Sequence, residues 1–239
     1  MISRSLLHLR SRPLSKTFAS TNQTEHFTVA TIGHQGHGKT TLVSAIHQYL
    51  YRKANSTTAP VSLNEKYIAS NINSVSYYQT QKNSYIHIDC PGHSSSSKTV
   101  ISVCQNLDAA IVVIAATDGM MSQTRKHLRI CKSLGVPYII VYLSKVEEVT
   151  DNEILAMEEF EIRNFMKSLG YSEKNLFIIK GSAIEALKGT QGEFGEESIR
   201  RLIEVMDTRI SQMNPLADLP LYMKINTAIG FKVSVFEIR

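Results

Sequence analysis

The chain has no tryptophan and only three cysteines in 239 residues. Cys90, Cys104 and Cys131 show no metal-ligand spacing, and an odd number cannot pair completely, so they are expected as reduced, packed thiols. No apolar run approaches the roughly 18 residues of a membrane span, so none is expected. Acidic residues are missing from the first 24 positions, which carry Arg4, Arg10, Arg12 and Lys16. Those four cations account for all but one unit of the formal charge of +5. The remainder is close to neutral, and no independent nucleic-acid binding is expected from it. The same 24 residues are rich in serine, with Leu6, Leu7, Leu9 and Leu14 available for an apolar helix face. That composition is a mitochondrial presequence's and predicts a matrix location; a flexible tail shares it. A secretory signal is excluded because Arg10 and Arg12 interrupt the apolar core it would need. Residues 1–24 are therefore set apart from the fold.

What is present is a globular composition, 43 % hydrophobic and 20 % charged, in a length that supports one substantial core. Residues 33–42 read Gly-His-Gln-Gly-His-Gly-Lys-Thr-Thr-Leu, which contains G-x-x-x-x-G-K-[ST]. The β-prone segment Phe27 to Ile32 precedes it and the helical pattern Leu42 to Leu50 follows, the context of a phosphate-binding loop. Glycines let the backbone curl so that N–H groups and a helix N-terminus converge on phosphate. The candidate phosphate set is Gly33, His34, Gln35, Gly36, His37, Gly38, Lys39, Thr40 and Thr41. Lys39 would reach β/γ oxygens, and the Thr40 hydroxyl would ligate Mg²⁺.

Downstream, residues 53–66 are polar and loop-like. Asn73 to Thr80 and Ser84 to Ile88 are β-rich and joined by Gln81-Lys82-Asn83, which predicts an antiparallel hairpin. Ala109 to Ala115 is a continuous apolar run, as in a strand buried on both faces. Ser122 to Leu134 reads as a helix closed by Gly135, Tyr138 to Leu143 as a strand, and Asn152 to Leu169 as an amphipathic helix closed by Gly170. The apolar side of that last helix is read as Ile154, Leu155, Ile162, Phe165, Met166 and Leu169. Leu176 to Ile179 is a further strand and Glu197 to Ile210 a final helix. Alternation of strands and helices predicts an α/β fold with a mostly parallel, doubly wound sheet and one antiparallel edge strand. Residues 220–239 read as two short β segments, a C-terminal β fragment. The domain reading is 1–24 presequence or tail, 25–212 nucleotide-binding domain, 213–239 remnant of a second domain.

Ile86 to His93 closes the hairpin's second strand as Ile-His-Ile-Asp-Cys-Pro-Gly-His. A carboxylate leaving a buried strand, then a Pro-Gly turn, suits Asp89 near Mg²⁺ and the Gly92 N–H as a γ-phosphate sensor. His93 would orient an attacking water.

These segments together carry a resemblance. His34 and His37, Asp89 to His93, Ala115 to Gly119 with Gln123-Thr124-Arg125, Gly135 to Ile140 and Gly181-Ser182-Ala183 stand much as in the translation elongation factor Tu family, mitochondrial type. The chain resembles that family's GTPase domain over about residues 26–225. The resemblance implies a P-loop GTPase fold, GTP or GDP with Mg²⁺ as ligands, and His93 as the catalytic residue. It assigns guanine binding to Ser144, Lys145 and Glu147 and to the loop of Ser182, Ala183 and Ile184. The family's base-reading motif is Asn-Lys-x-Asp, and this chain has Ser144-Lys145-Val146-Glu147. Glu147 is one methylene longer than the Asp it replaces, which implies a loss of about 1–3 kcal/mol in guanine affinity or discrimination. Ser144 replaces an amide with a shorter hydroxyl. The best local alignment sets Ile68, Ala69, Ser70 and Asn71 against the family's Arg-Gly-Ile-Thr, so the Thr that closes over Mg²⁺ is lost. Polar Gln35 and Ser70 take the place of an apolar gate, and Gly36 that of an aspartate.

Together these departures imply weak or absent hydrolysis. The chain ends shortly after Pro220 to Ile225, which resembles the family's first second-domain strand, so no independent aminoacyl-tRNA delivery is expected. Two functions remain open on this reading. One is a GTP-binding factor of mitochondrial translation. The other is a nucleotide-bound structural subunit of a large mitochondrial protein or ribonucleoprotein assembly, the mitoribosome or a respiratory complex. Relaxed guanine selectivity through Glu147 leaves a third, an ATP-binding relative.

Overall fold

The computed structural model describes residues 26–56, 74–92, 97–105, 107–173 and 176–210. The strands are β1 (His26–Gly33), β2 (Ser74–Gln79), β3 (Ser84–Asp89), β4 (Ala109–Ala115), β5 (Tyr138–Ser144) and β6 (Leu176–Lys180). The helices are α1 (Lys39–Ser56), α2 (Ser97–Cys104), α3 (Ser122–Ser133), α4 (Asn152–Ser168), α5 (Ala183–Lys188) and α6 (Glu196–Arg209), with a 3₁₀ turn at Val146–Glu148. The strands form one sheet in the order β2-β3-β1-β4-β5-β6. Only β2 is antiparallel to its neighbour, Tyr77 lying opposite Ile86; every other pair is parallel.

Side chains alternate across a strand, so each strand feeds two cores. Ala30, Ile32, Val112, Ile114, Val141 and Leu143 point to one face and meet Val100, Leu128, Leu155, Ile162 and Met166 of α2, α3 and α4. Val29, Ile111, Val113, Ile140 and Tyr142 point to the other and meet Leu42, Ile46, Ala183, Leu202 and Met206 of α1, α5 and α6. All seven residues of β4 are buried, as the unbroken apolar run predicts. The fold is therefore the doubly wound α/β sheet with an antiparallel edge, and it is consistent with a P-loop GTPase. The three cysteines are free and buried, and no described helix is long and apolar enough to cross a membrane.

Three readings need correction. Residues 53–56, read as loop, continue α1, because Arg52 anchors that end to α5 and α6. Ile154 is not on the packed side of α4. With Met157 and Phe160 it lies outward, at 45, 70 and 67 % exposure, while Leu155, Ile162 and Met166 carry the burial. The periodicity permits either stripe, and the contact with α3 selects one. The short helix α5 went unread, since six residues carry no usable period. The readings for residues 1–24, 68–71, His93 and 213–239 lie outside the described residues.

Candidate functional site

β1 ends at Gly33 and α1 begins at Lys39, so five residues turn the chain through the phosphate loop. Gly36 and Gly38 take φ of +80° and +87°, which side chains resist and glycine does not. The Lys39 ammonium donates to the His34 carbonyl at 2.6 Å, folding back over its own loop. An ammonium carries three donors, so two more are available to phosphate oxygens. Lys39 is only 7 % exposed, and burial lowers its pKa while the Asp89 carboxylate opposes the shift. No acid occupies the first turn of α1, which leaves the positive end of the helix dipole for an anion.

His37 serves this loop from beneath. Its ring is fully buried, Nδ1 accepts the Ala115 N–H at 3.2 Å, and Nε2 lies 3.4 Å from the Asp118 carboxylate. Burial pushes its pKa down to about 4, so the ring is neutral at physiological pH. A phosphate can meet only its backbone. Thr41 is half-buried, while Gln35 and Thr40 are exposed.

Asp89, at the end of β3, accepts from two hydroxyls. Thr31 Oγ1 donates to Oδ1 at 2.8 Å and Thr40 Oγ1 to Oδ2 at 2.6 Å. The carboxylate is thus held between β1 and α1. Its partner Thr31 is absent from the sequence-derived set, although alternation along β1 places it beside β3. A hydroxyl and a carboxylate oxygen this close suit Mg²⁺, which favours one or two protein oxygens with water and phosphate completing the shell. Thr40 and Asp89 are the residues that would hold it, and the ion would neutralise charge on the phosphate oxygens.

Gly92 lies directly against the phosphate loop. A Cβ there would come within 2.5 Å of Lys39 Nζ and 2.6 Å of Gln35 Cα, so only glycine lets this backbone approach. Gln123 of α3 secures the approach. Its Nε2 donates to the Gly92 carbonyl at 3.1 Å, which turns Oε1 to accept from His34 Nδ1 at 2.7 Å. Sequence alone does not reveal this glutamine's role, because that role depends on α3 lying beside β1.

The second group gathers at the carboxyl ends of β5 and β6, where open α/β sheets take their ligands. Ser144 Oγ donates to the His37 carbonyl at 2.7 Å. The short hydroxyl does span from the base loop to the phosphate loop. Lys145 is the only described non-glycine residue with positive φ, at 58°, a conformation uncommon outside glycine and a mark of functional loops. The 3₁₀ turn then buries Val146 and leaves Glu147 exposed. Beside it, the Gly181 N–H donates to the Leu143 carbonyl at 2.9 Å, fixing the β6 loop to β5. Ser182 Oγ accepts from the Glu185 N–H at 3.1 Å and caps α5. Ala183 is buried and Ile184 is 45 % exposed. What this loop offers a base is chiefly backbone, with the Ile184 side chain at its rim.

Arg52 ties the two groups together. It donates to the Ala186 and Leu187 carbonyls at the end of α5, at 3.1 and 2.7 Å, and to Glu196 at 2.6 Å. The contacts above join His34, His37, Lys39, Thr40, Asp89, Gly92 and Ser144; Lys145, Glu147 and the Ser182 to Ile184 stretch follow β5 and β6, with Glu147 and Ile184 exposed, and His93 lies outside the described residues. A lysine-centred loop at a helix N-terminus, a hydroxyl–carboxylate pair and a base platform one strand apart make a nucleotide site. The family profile of the Elongation factor Tu GTP binding domain matches residues 24–212, most of the chain and all of this site. The chain belongs to that family: it is a guanine-nucleotide-binding domain of the GTPase type, related to the elongation factors.

Proposed function

We propose that this GTPase-type domain serves mitochondrial translation as a guanine-nucleotide-binding factor, holding GTP or GDP with Mg²⁺ and hydrolysing GTP weakly or not at all. The observation that carries the binding is the Lys39–Thr40–Asp89 arrangement. The arginine-bearing, acid-free composition of residues 1–24 supports import into the matrix. Gln35 and Gly36, exposed at the tip of the loop, support the slow hydrolysis. They leave the approach to the phosphate open to water on a side the family closes with apolar groups. Independent aminoacyl-tRNA delivery is not part of this function, because outside residues 1–24 the chain is nearly neutral. Purification of the native protein and identification of its bound nucleotide tests this reading. GDP with measurable turnover supports a factor, and absence of any guanine nucleotide refutes it.

A second reading is favoured by Ser144 and Glu147. Both depart from the base-reading pattern, yet Ser144 still makes its tether. A site kept in shape while its discrimination drifts suits a nucleotide retained for stability, since a ligand bound only to the folded state stabilises it by mass action. On this reading the protein is a structural subunit of a large mitochondrial assembly. Unhydrolysed nucleotide co-purifying with such a complex distinguishes it from the factor.

A further inference from the structure

Cys104 at the end of α2 and Cys131 near the end of α3 are 27 residues apart in sequence, yet their sulfurs lie 3.5 Å apart. Both are buried, at 2 and 0 % exposure, in the layer between the sheet and its α2, α3 and α4 helices. A disulfide has an S–S length of about 2.05 Å, so an approach of roughly 1.5 Å converts contact into a bond. The two helices also flank the phosphate-sensing segment. α2 begins at Ser97, shortly after Gly92, and α3 carries Gln123, which holds the Gly92 carbonyl.

We propose that Cys104 and Cys131 form an oxidisable dithiol whose disulfide clamps together the far ends of α2 and α3, the two helices whose near ends adjoin Gly92. Only the effect on nucleotide rests on the GTPase reading; the cross-link itself does not. The oxidant is a peroxide, small enough to enter on local opening of a buried site. The two thiols have distinct roles. One S–H donates to the other sulfur; the contact lowers the Cys104 pKa, whereas the same contact and burial raise that of Cys131. Cys104 is therefore the attacking thiolate. Its sulfur attacks one peroxide oxygen, the O–O bond breaks, and hydroxide leaves and takes up the thiol proton as water. Cys131 sulfur then attacks the Cys104 sulfenic acid, the S–O bond breaks, and a second water departs with the Cys131 proton. Two thiols are oxidised to one disulfide and one peroxide is reduced to two waters. In a reducing compartment such a bond is transient and signals oxidation.

The test uses the full chain, reduced and then treated with hydrogen peroxide, with free thiols alkylated as the chain is unfolded. Peptide mapping without reductant should find Cys104 joined to Cys131, about 2 mass units lighter than the dithiol and restored by dithiothreitol. The oxidised chain should melt about 5–10 °C higher, as closing a loop of this length implies, and release GDP more slowly. Cys104→Ala and Cys131→Ala should each abolish both changes. Mapping of the unsubstituted chain stands even if a variant fails to fold. No cross-link, or a link through Cys90 instead, overturns the proposal. So does a disulfide that alters neither the melting temperature nor GDP release. Mapping and melting need no nucleotide, so their failure is distinct from failure of the GTPase reading.

Discussion

The phosphate end and the base end of the site are built differently. At the phosphate end each polar group is fixed twice: Asp89 by Thr31 and Thr40, the loop by Lys39 from above and by His37 from beneath. At the base end the tethers are mostly backbone, from Gly181 to Leu143 and from Ser182 to Phe194, with Ser144 reaching the His37 and Ile114 carbonyls, and the side chain that the resemblance sets against the ring, Glu147, is exposed. Charge explains the difference. A phosphate's charge must be met by donors already in place, because buried donors and acceptors left unpaired are costly. A base can be stacked and edge-bonded by a looser loop. Drift is therefore expected to accumulate at the base end first.

The sharpest way to break this comparison is Lys39→Ala. It removes both the phosphate contact and the bond to the His34 carbonyl, and GDP affinity should fall at least a hundredfold, given about 1.5–3 kcal/mol per hydrogen bond to a charged group. Titration with a fluorescent guanine nucleotide measures it, and a loss below tenfold would place the binding energy at the base end instead.

Acid should act on the buried imidazoles, that of the phosphate end among them. The folded-state pKa of His37, about 4, lies below the ordinary 6.5. As pH falls the unfolded chain takes up the proton first. The stabilisation is complete above about pH 6.5 and is lost between there and 4, at up to about 1.4 kcal/mol per pH unit. His87, buried against Tyr78 and held at about 3, adds the same slope from beneath the hairpin. Thermal melts from pH 7 to 5 should show the slope, and His37→Asn should flatten part of it. An unchanged slope would mean that the ring is not held neutral by burial.

Glu147→Asp tests the base end. Shortening the side chain should improve guanine over adenine nucleotide binding by about 5- to 150-fold, the range of 1–3 kcal/mol. Competition between GDP and ADP reads it, and no change would show that the exposed carboxylate never meets the ring. The smallest effect is expected for Ser182→Ala. It removes the α5 cap and should cost about 1 kcal/mol of stability, visible as a lower denaturation midpoint with phosphate contacts intact.

Much of the fold was legible because its signals are local and strong. The seven apolar residues of β4, the hairpin around Gln81 to Asn83 and the glycines closing α3 and α4 each announce one element. The phosphate loop was legible for the same reason. What could not be read was relational. Thr31 and Gln123 act through elements brought beside them by sheet order. The ring of His37 was grouped with the phosphate contacts, but its proximity in sequence says nothing of the direction it faces. The outward stripe on α4 and the extra turns of α1 were decided by packing partners far along the chain.

Arg52 gives the architecture a mechanical consequence. Helix α1 starts at the phosphates, and its far end grips the tail of the helix that starts at the base. The two ends of the cleft are thereby joined on the far side of the domain through Arg52 as well as through the sheet, so cutting the Arg52 grip reaches both from a residue that lies in neither.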